Sequence, residues 1–160
     1  MNERSPRETL AGPVVVGTDG SDTARQAMAF ALREARLRGG PLRAVCAYGP
    51  HAETGPGTWP RGGDSSPPHL HDIVTRDVTN SVEELCRQVG EPSAEVEVHC
   101  ARGRPAQVLL DASKDASLLV VGSRGSGAWG RLALGSTSTE VVHHAHLPVV
   151  VVPPAPADGT

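Results

Sequence analysis

The sequence predicts an α/β fold: an open five-stranded parallel sheet with helices on both faces. Three observations predict it. Short continuous apolar runs, PVVVGT at 13–18, SLLVV at 117–121 and PVVVV at 148–152, have the character of strands covered on both sides. Between such runs, apolar residues recur every three to four positions, which is the repeat of a helix buried along one stripe. Strands and helices alternate along the chain, and that order implies right-handed crossovers and parallel pairing.

The elements follow in order. Pro13 to Thr18 is the first strand. Ser21, Asp22 and Thr23 then offer helix caps, and Thr23 to Gln26 fits a capping box. Ala24, Ala27, Met28, Ala31, Leu32 and Ala35 form one apolar stripe, and Gly39-Gly40-Pro41 stops that helix. Leu42 to Tyr48 (LRAVCAY) is the second strand. Between Gly49 and Pro68 the chain carries five prolines, Pro50, Pro56, Pro60, Pro67 and Pro68, with several glycines. The segment 49–70 therefore reads as a long mobile surface loop. Asp72 to Gln88 is the second helix, with Val74, Val78, Val82, Leu85 and Val89 as its stripe and Gly90 and Pro92 as its end. Ala94 to Cys100 (AEVEVHC) alternates apolar and polar residues, as a strand near a sheet edge does. Pro105 suits the first turn of a third helix, running to about Lys114. The fourth strand ends just before Gly122, a helix runs from about Ser136 to Ala145, and the fifth strand is 148–152. Residues 1–12 read as a flexible N-terminus, 13–152 as one domain without internal repeats, and 153–160 as a disordered tail.

A chain of 160 residues suits one core. The net charge of −3 argues against broad electrostatic binding of nucleic acid. One Phe, one Tyr and two Trp leave no stacking platform for single strands. No apolar stretch approaches the roughly 20 residues of a membrane span, and MNERSPRETLAG lacks the apolar centre of a signal peptide. Cys46, Cys86 and Cys100 are odd in number, widely spaced and without a CxxC pair, so they suggest buried thiols and not a disulfide framework. The expectation is a cytoplasmic protein that binds neither nucleic acid nor membrane.

The informative stretch is GSRGSGAWGRLALGSTS, residues 122–138. Its five glycines separate a buried strand from a helix. In an open parallel sheet, ligands bind beyond the carboxyl ends of the strands, where strand order reverses. The end of the first strand, Gly17-Thr18-Asp19-Gly20-Ser21, and this loop are expected to meet there. Glycines let backbone N–H groups approach an anion. The following helix start, Gly135-Ser136-Thr137-Ser138, adds unpaired N–H groups, a partial positive charge and three hydroxyls. Arg124 and Arg131 offer charge. Ordinary capping explains the Ser/Thr run nearly as well, and the loop is neither a P-loop nor a GxGxxG turn.

The spacing Gly122-x2-Gly125-x9-Gly135-Ser136 resembles the G-2x-G-9x-G-(S/T) nucleotide-binding pattern of universal stress proteins. VVVGTDGSD at the first strand, ARGRPAQVLL leading into the third helix, LLVVGSRG at the fourth strand and LPVVVVP at the end extend that resemblance over nearly the whole chain. The resemblance implies a Rossmann-like fold of the adenine nucleotide alpha hydrolase type with strand order 3-2-1-4-5. It also implies an ATP site. Gly17, Thr18 and Asp19 would lie at the first strand, with Asp19 by the ribose and adenine, a role that suits an acceptor of sugar hydroxyl protons. Ala47 would meet the adenine through its backbone, and Val121 and Gly122 would lie at the fourth strand, Gly122 by the ribose. Arg124, Gly125, Gly135, Ser136, Thr137 and Ser138 complete the set around the phosphates. Mg2+ or Mn2+ would be held through the phosphates, since hard cations prefer oxygen ligands. Gly17 stands where other members carry proline. The resemblance further implies a homodimer through 148–152 and a stress-response role exercised through a signalling protein whose identity the sequence does not give.

Other residues point elsewhere. His143, His144 and His146 look like a metal cluster, but histidines at a helix C-terminus are favoured by its dipole, and no carboxylate or cysteine at close spacing completes a site. Asp19 is the only candidate base near the loop, and no paired carboxylates or nucleophile elbow accompany it. A nucleotide-dependent regulator is the first reading. A slow Mg-dependent ATPase or phosphotransferase, and a nucleotide-free adaptor, are the alternatives.

Overall fold

A computed structural model describes residues 12–49, 69–123 and 134–156. Most of the Pro/Gly-rich segment, both chain ends and the middle of the glycine loop, with Arg124, Gly125 and Arg131, lie outside the described residues, and so do the expectations placed on them. The order of elements is β1 (Val14–Gly17), α1 (Asp22–Arg38), β2 (Leu42–Tyr48), α2 (Leu70–Gln88), β3 (Val96–Arg102), α3 (Pro105–Ala112), β4 (Leu118–Gly122), α4 (Ser136–His144) and β5 (Val149–Val152). The five strands form one sheet in the order β3-β2-β1-β4-β5, and every pairing is parallel. β1 lies between β2 and β4, with Val16 opposite Ala44 on one side and Val120 on the other. The edges are β3 and β5.

The alternation of side chains along the strands divides the core in two. Val14, Val16, Ala44, Cys46 and Val120 face α1 and α2. Val15, Val45, Leu119 and Val121 face α3 and α4. The stripe predicted for α1 is buried at each of its six positions, Ala24, Ala27, Met28, Ala31, Leu32 and Ala35. Four of these are alanines, which lets the helix axis come close to the sheet. Gly39 ends α1 in the left-handed region at φ 69, and its N–H and that of Gly40 bond the carbonyls of Arg36 and Ala35, a glycine C-cap.

Several boundaries differ from expectation. The cap of α1 is Ser21, whose Oγ accepts from the Ala24 N–H at 3.2 Å, so the box expected at Thr23 and Gln26 does not form. The helix begins two residues early because Ala24 is drawn into the core. The second helix also begins early, since Leu70 is itself buried. Its last expected stripe residue, Val89, is 45% exposed, because the helix has ended and Gly90 turns the chain away at φ 79. β3 starts at Val96, after a turn closed by Ala94 N–H to the Glu91 carbonyl. α3 stops at Ala112, where the Ser113 hydroxyl bonds back to the Leu109 carbonyl at 2.6 Å.

Candidate functional site: a cleft at the carboxyl ends of β1, β2 and β4

Strand order reverses at β1, where the chain leaves first for β2 and later for β4. An open cleft lies there. Three groups of residues build it.

The end of β1 forms the floor. The Thr18 N–H continues the pairing with β2 by bonding the Val45 carbonyl at 2.9 Å. The chain then turns sharply. Asp19 Oδ1 accepts from the Ser21 N–H at 2.9 Å, an Asx-type turn, and Gly20 takes the left-handed conformation at φ 82. Asp19 is therefore not the helix cap. It shapes the turn that presents Thr18, Asp19 and Ser21 to the cleft, and Ser21 caps α1.

The second wall is apolar. Val45 and Ala47 occupy the same face of β2, and Pro105 and Leu109 extend it from the first turns of α3. Leu109 packs so tightly over β1 that a Cβ at Gly17 would meet both of its methyl carbons at 3.0 Å. Glycine at 17 thus has a packing reason: it lets α3 settle against the strand beside the cleft.

The third wall joins β4 to α4. Val121 and Gly122 end β4, and Gly135, Thr137 and Ser138 begin α4. Ser123 and Gly135 are tied by a backbone bond of 2.8 Å, and Ser123 N–H reaches the Val152 carbonyl at 2.8 Å. The loop therefore leaves and re-enters at one point. Ser138 is buried, and its hydroxyl donates to the Gly122 carbonyl at 2.6 Å, so its proton is directed into the protein. Gly135 is the N-cap and provides no side-chain cap. Its φ of −63 and ψ of 164 suit any residue, so backbone conformation gives no reason for glycine there.

Of the residues singled out in the sequence, Gly17, Thr18, Asp19, Ala47, Val121, Gly122, Gly135, Thr137 and Ser138 line this one cleft. Ser136 stands at the first helical position, exposed and outside the lining. Ser21 lines it too, as the end of the segment expected there, whereas sequence reasoning missed Ala24, Val45, Pro105 and Leu109 as cleft residues. Val45 was within reach, being two positions from Ala47 on one strand face. Among the described lining residues the only formal charge is Asp19. An anion bound beside α4 would be met by backbone N–H groups and the helix end. His143 and His144 lie exposed in the last turn of α4. Among the described residues no group of three or more His, Cys, Asp or Glu is placed to hold a metal ion, and no helix is long and apolar enough to cross a membrane.

Comparison with known proteins agrees with this architecture. The Universal stress protein family profile matches residues 11–153. Universal stress protein Rv2623 of Mycobacterium tuberculosis is 38% identical over 145 residues, covering 87% of this chain and 46% of its own length. A universal stress protein of Mycolicibacterium smegmatis is 33% identical over 147 residues, covering 87% and 47%. The chain thus spans about half the length of these curated relatives. Among solved structures, a universal stress protein in complex with cAMP superposes with a TM-score of 0.60 at 26% identity, covering 90% of this chain and 98% of that one. The universal stress protein of Archaeoglobus fulgidus in complex with dAMP gives a TM-score of 0.59 at 26% identity, covering 89% and 98%. This chain belongs to the universal stress protein family.

Proposed function

We propose that the cleft binds an adenine nucleotide, ATP with Mg2+ or Mn2+, and that the protein is a nucleotide-dependent regulator in a stress response. The observation that carries this reading is the division of the cleft. An apolar slot of Val45, Ala47 and Leu109 suits a base. The Asp19 turn between them offers a carboxylate to ribose hydroxyls. The glycine start of α4 suits phosphate. The complexes of two relatives with cAMP and dAMP support the same class of ligand.

The oxygen donors of the cleft fit a hard cation and not a soft one: Asp19, Thr18, Ser21 and Thr137, with no described His or Cys in the lining. Mg2+ or Mn2+ would reach the site with the phosphates and neutralise them. The chain's own residues bind and orient: Asp19 holds the turn, Ser138 fixes the α4 start against β4, and Leu109 closes the base slot. Differential affinity of ATP for two arrangements of the glycine loop would shift the surface shown to a signalling protein. The edge strand β5, hydrogen-bonded among the described strands to β4 alone, is the surface on which we place a second copy, which would cover that edge.

The test is calorimetric titration of nucleotide-stripped protein with ATP and Mg2+, beside a Gly135→Val/Ser136→Ala variant. Binding with a Kd on the order of micromolar (about −8 kcal/mol) that the variant loses, with the fold intact by circular dichroism, supports the reading. Absence of binding to folded wild-type protein overturns it and leaves an adaptor without nucleotide.

A further inference from the structure

The nucleotide cleft leaves one feature of the opposite face unused. Cys46 on β2 and Cys100 on β3 are direct register partners. Both belong to the core beneath α1 and α2, so both side chains leave the sheet on the same side. Opposed residues of neighbouring strands sit about 4.8 Å apart, within the Cα separation of roughly 4.4–6.8 Å that a disulfide spans. Both are free thiols in the structure.

The two thiols are not equivalent. The Cys46 S–H has the Ala47 carbonyl as its acceptor at 3.6 Å, and the neighbouring Cys100, with burial, raises the proton affinity of Cys46. The same proximity makes Cys100 the more acidic partner, against the opposing effect of its burial. The Thr75 hydroxyl of α2 also favours the Cys100 thiolate, and its Oγ1 is buried without a hydrogen-bond partner of its own. A polar atom left unpaired in a core calls for an explanation, and a charged or oxidised sulfur beside it supplies one. Among the described residues β3 pairs with β2 alone, so Cys100 lies on an edge strand, and closing a bond needs β3 to move on one side only. Cys100 keeps 8% of its surface exposed. Cys86 sits about three turns further along α2 than Thr75, roughly 16 Å away by helix rise, and is out of range.

We propose that Cys46 and Cys100 form an oxidation site for hydroperoxides that closes to an intramolecular disulfide. The Cys100 thiolate attacks the terminal peroxide oxygen, the O–O bond breaks, and the hydroxide or alkoxide leaves with a proton as water or alcohol. Cys100 is then a sulfenic acid, with the Thr75 hydroxyl placed to hydrogen-bond its oxygen. The Cys46 sulfur attacks the Cys100 sulfur, the S–O bond breaks, and hydroxide departs with the Cys46 proton as water. Two thiols have lost two electrons and the peroxide has gained them.

The test treats the reduced full-length protein with hydrogen peroxide, removes the excess with catalase, and counts thiols in denaturant. The expected fall is from the three free thiols to the single one of Cys86. It is accompanied by a monomer mass lower by about 2 Da, linked peptides containing Cys46 and Cys100, and reversal by dithiothreitol. Cys86→Ser keeps the bond. Cys46→Ser stops at a Cys100 sulfenic acid that dimedone traps. The proposal is overturned if all three thiols survive peroxide, if Cys86 is part of the bond, or if the bond forms only between chains. The wild-type measurement decides even where a variant does not fold.

Discussion

The two faces of the sheet are built from helices of very different length. α1 and α2 have 17 and 19 residues, or about 25–28 Å of helix. α3 and α4 have 8 and 9, or about 12–14 Å. The strands of 4–7 residues extend about 13–23 Å. The long helices bury the larger set of residues. The short ones bury fewer, and their first turns, Pro105 and Leu109 of α3 and Gly135, Thr137 and Ser138 of α4, border the cleft at the carboxyl ends of β1, β2 and β4. The two faces thus differ in what they carry: the long-helix face holds the larger share of the core, and the short-helix face holds the site.

Leu32→Ala breaks this comparison most directly. Leu32 is buried in α1 on the long-helix face, away from the cleft. The expected loss is about 2–5 kcal/mol, read as a fall in Tm of roughly 2–4 °C for each kcal/mol, with adenine-nucleotide affinity of the folded fraction unchanged. A loss below about 1 kcal/mol would mean that this face is not the stabilising one.

Leu109→Ala tests the other face. Leu109 is equally buried but borders the cleft, so water or a ligand can occupy the space it leaves. The expected loss lies near the lower end, about 2 kcal/mol, and nucleotide affinity falls with it. Gly17→Ala sharpens the point, because its added Cβ meets the Leu109 methyls at 3.0 Å. Combined with Leu109→Ala that crowding is gone, so the double mutant is expected to be more stable than the sum of the singles implies. Additive losses in chemical denaturation would show that Leu109 does not press on β1.

Ser21→Ala removes the cap of the long helix at the point where it reaches the cleft. Its Oγ satisfies one first-turn N–H, so the expected cost is about 1 kcal/mol. The same change at Thr23, one turn position inside α1, is expected to cost less, and thermal melts of the two variants distinguish the observed cap from the one that the sequence suggested.

That contrast shows what the sequence can carry. The α1 stripe and the parallel order were legible because burial writes a period into the apolar residues. The meeting of Gly17–Asp19 with Gly135–Ser138 was legible because strand ends at a reversal converge whatever the loops do. The cap was not, since Ser21, Asp22 and Thr23 are all good caps and the choice falls to the turn held by Asp19. Pro105 and Leu109 were read as ordinary helix residues, for nothing in their spacing says which strand end lies beneath them. The Cys46–Cys100 pairing depends on the register of β2 with β3, and two separate apolar runs do not state their register.

The smallest expected effect lies on the rim. Arg104, the N-cap residue of α3, donates from Nη2 to both Glu140 carboxylate oxygens of α4, at 2.9 and 2.8 Å. It bridges the two short helices beside Pro105 of the cleft wall. The pair is nonetheless open to water, with the Arg104 side chain 61% exposed, and exposed ion pairs contribute about 0–1 kcal/mol. Arg104→Ala is therefore expected to lower Tm by no more than roughly 2–4 °C, and the difference from wild type should shrink as salt rises, because a Debye length falls from about 10 Å at 0.1 M to 3 Å at 1 M. Melts of both proteins across that salt range measure it. A large, salt-independent loss would mean that the short-helix face depends on this bridge, and that the open side of the sheet is held by charge at its rim and not by the apolar contacts of Leu109 and Val141 beneath.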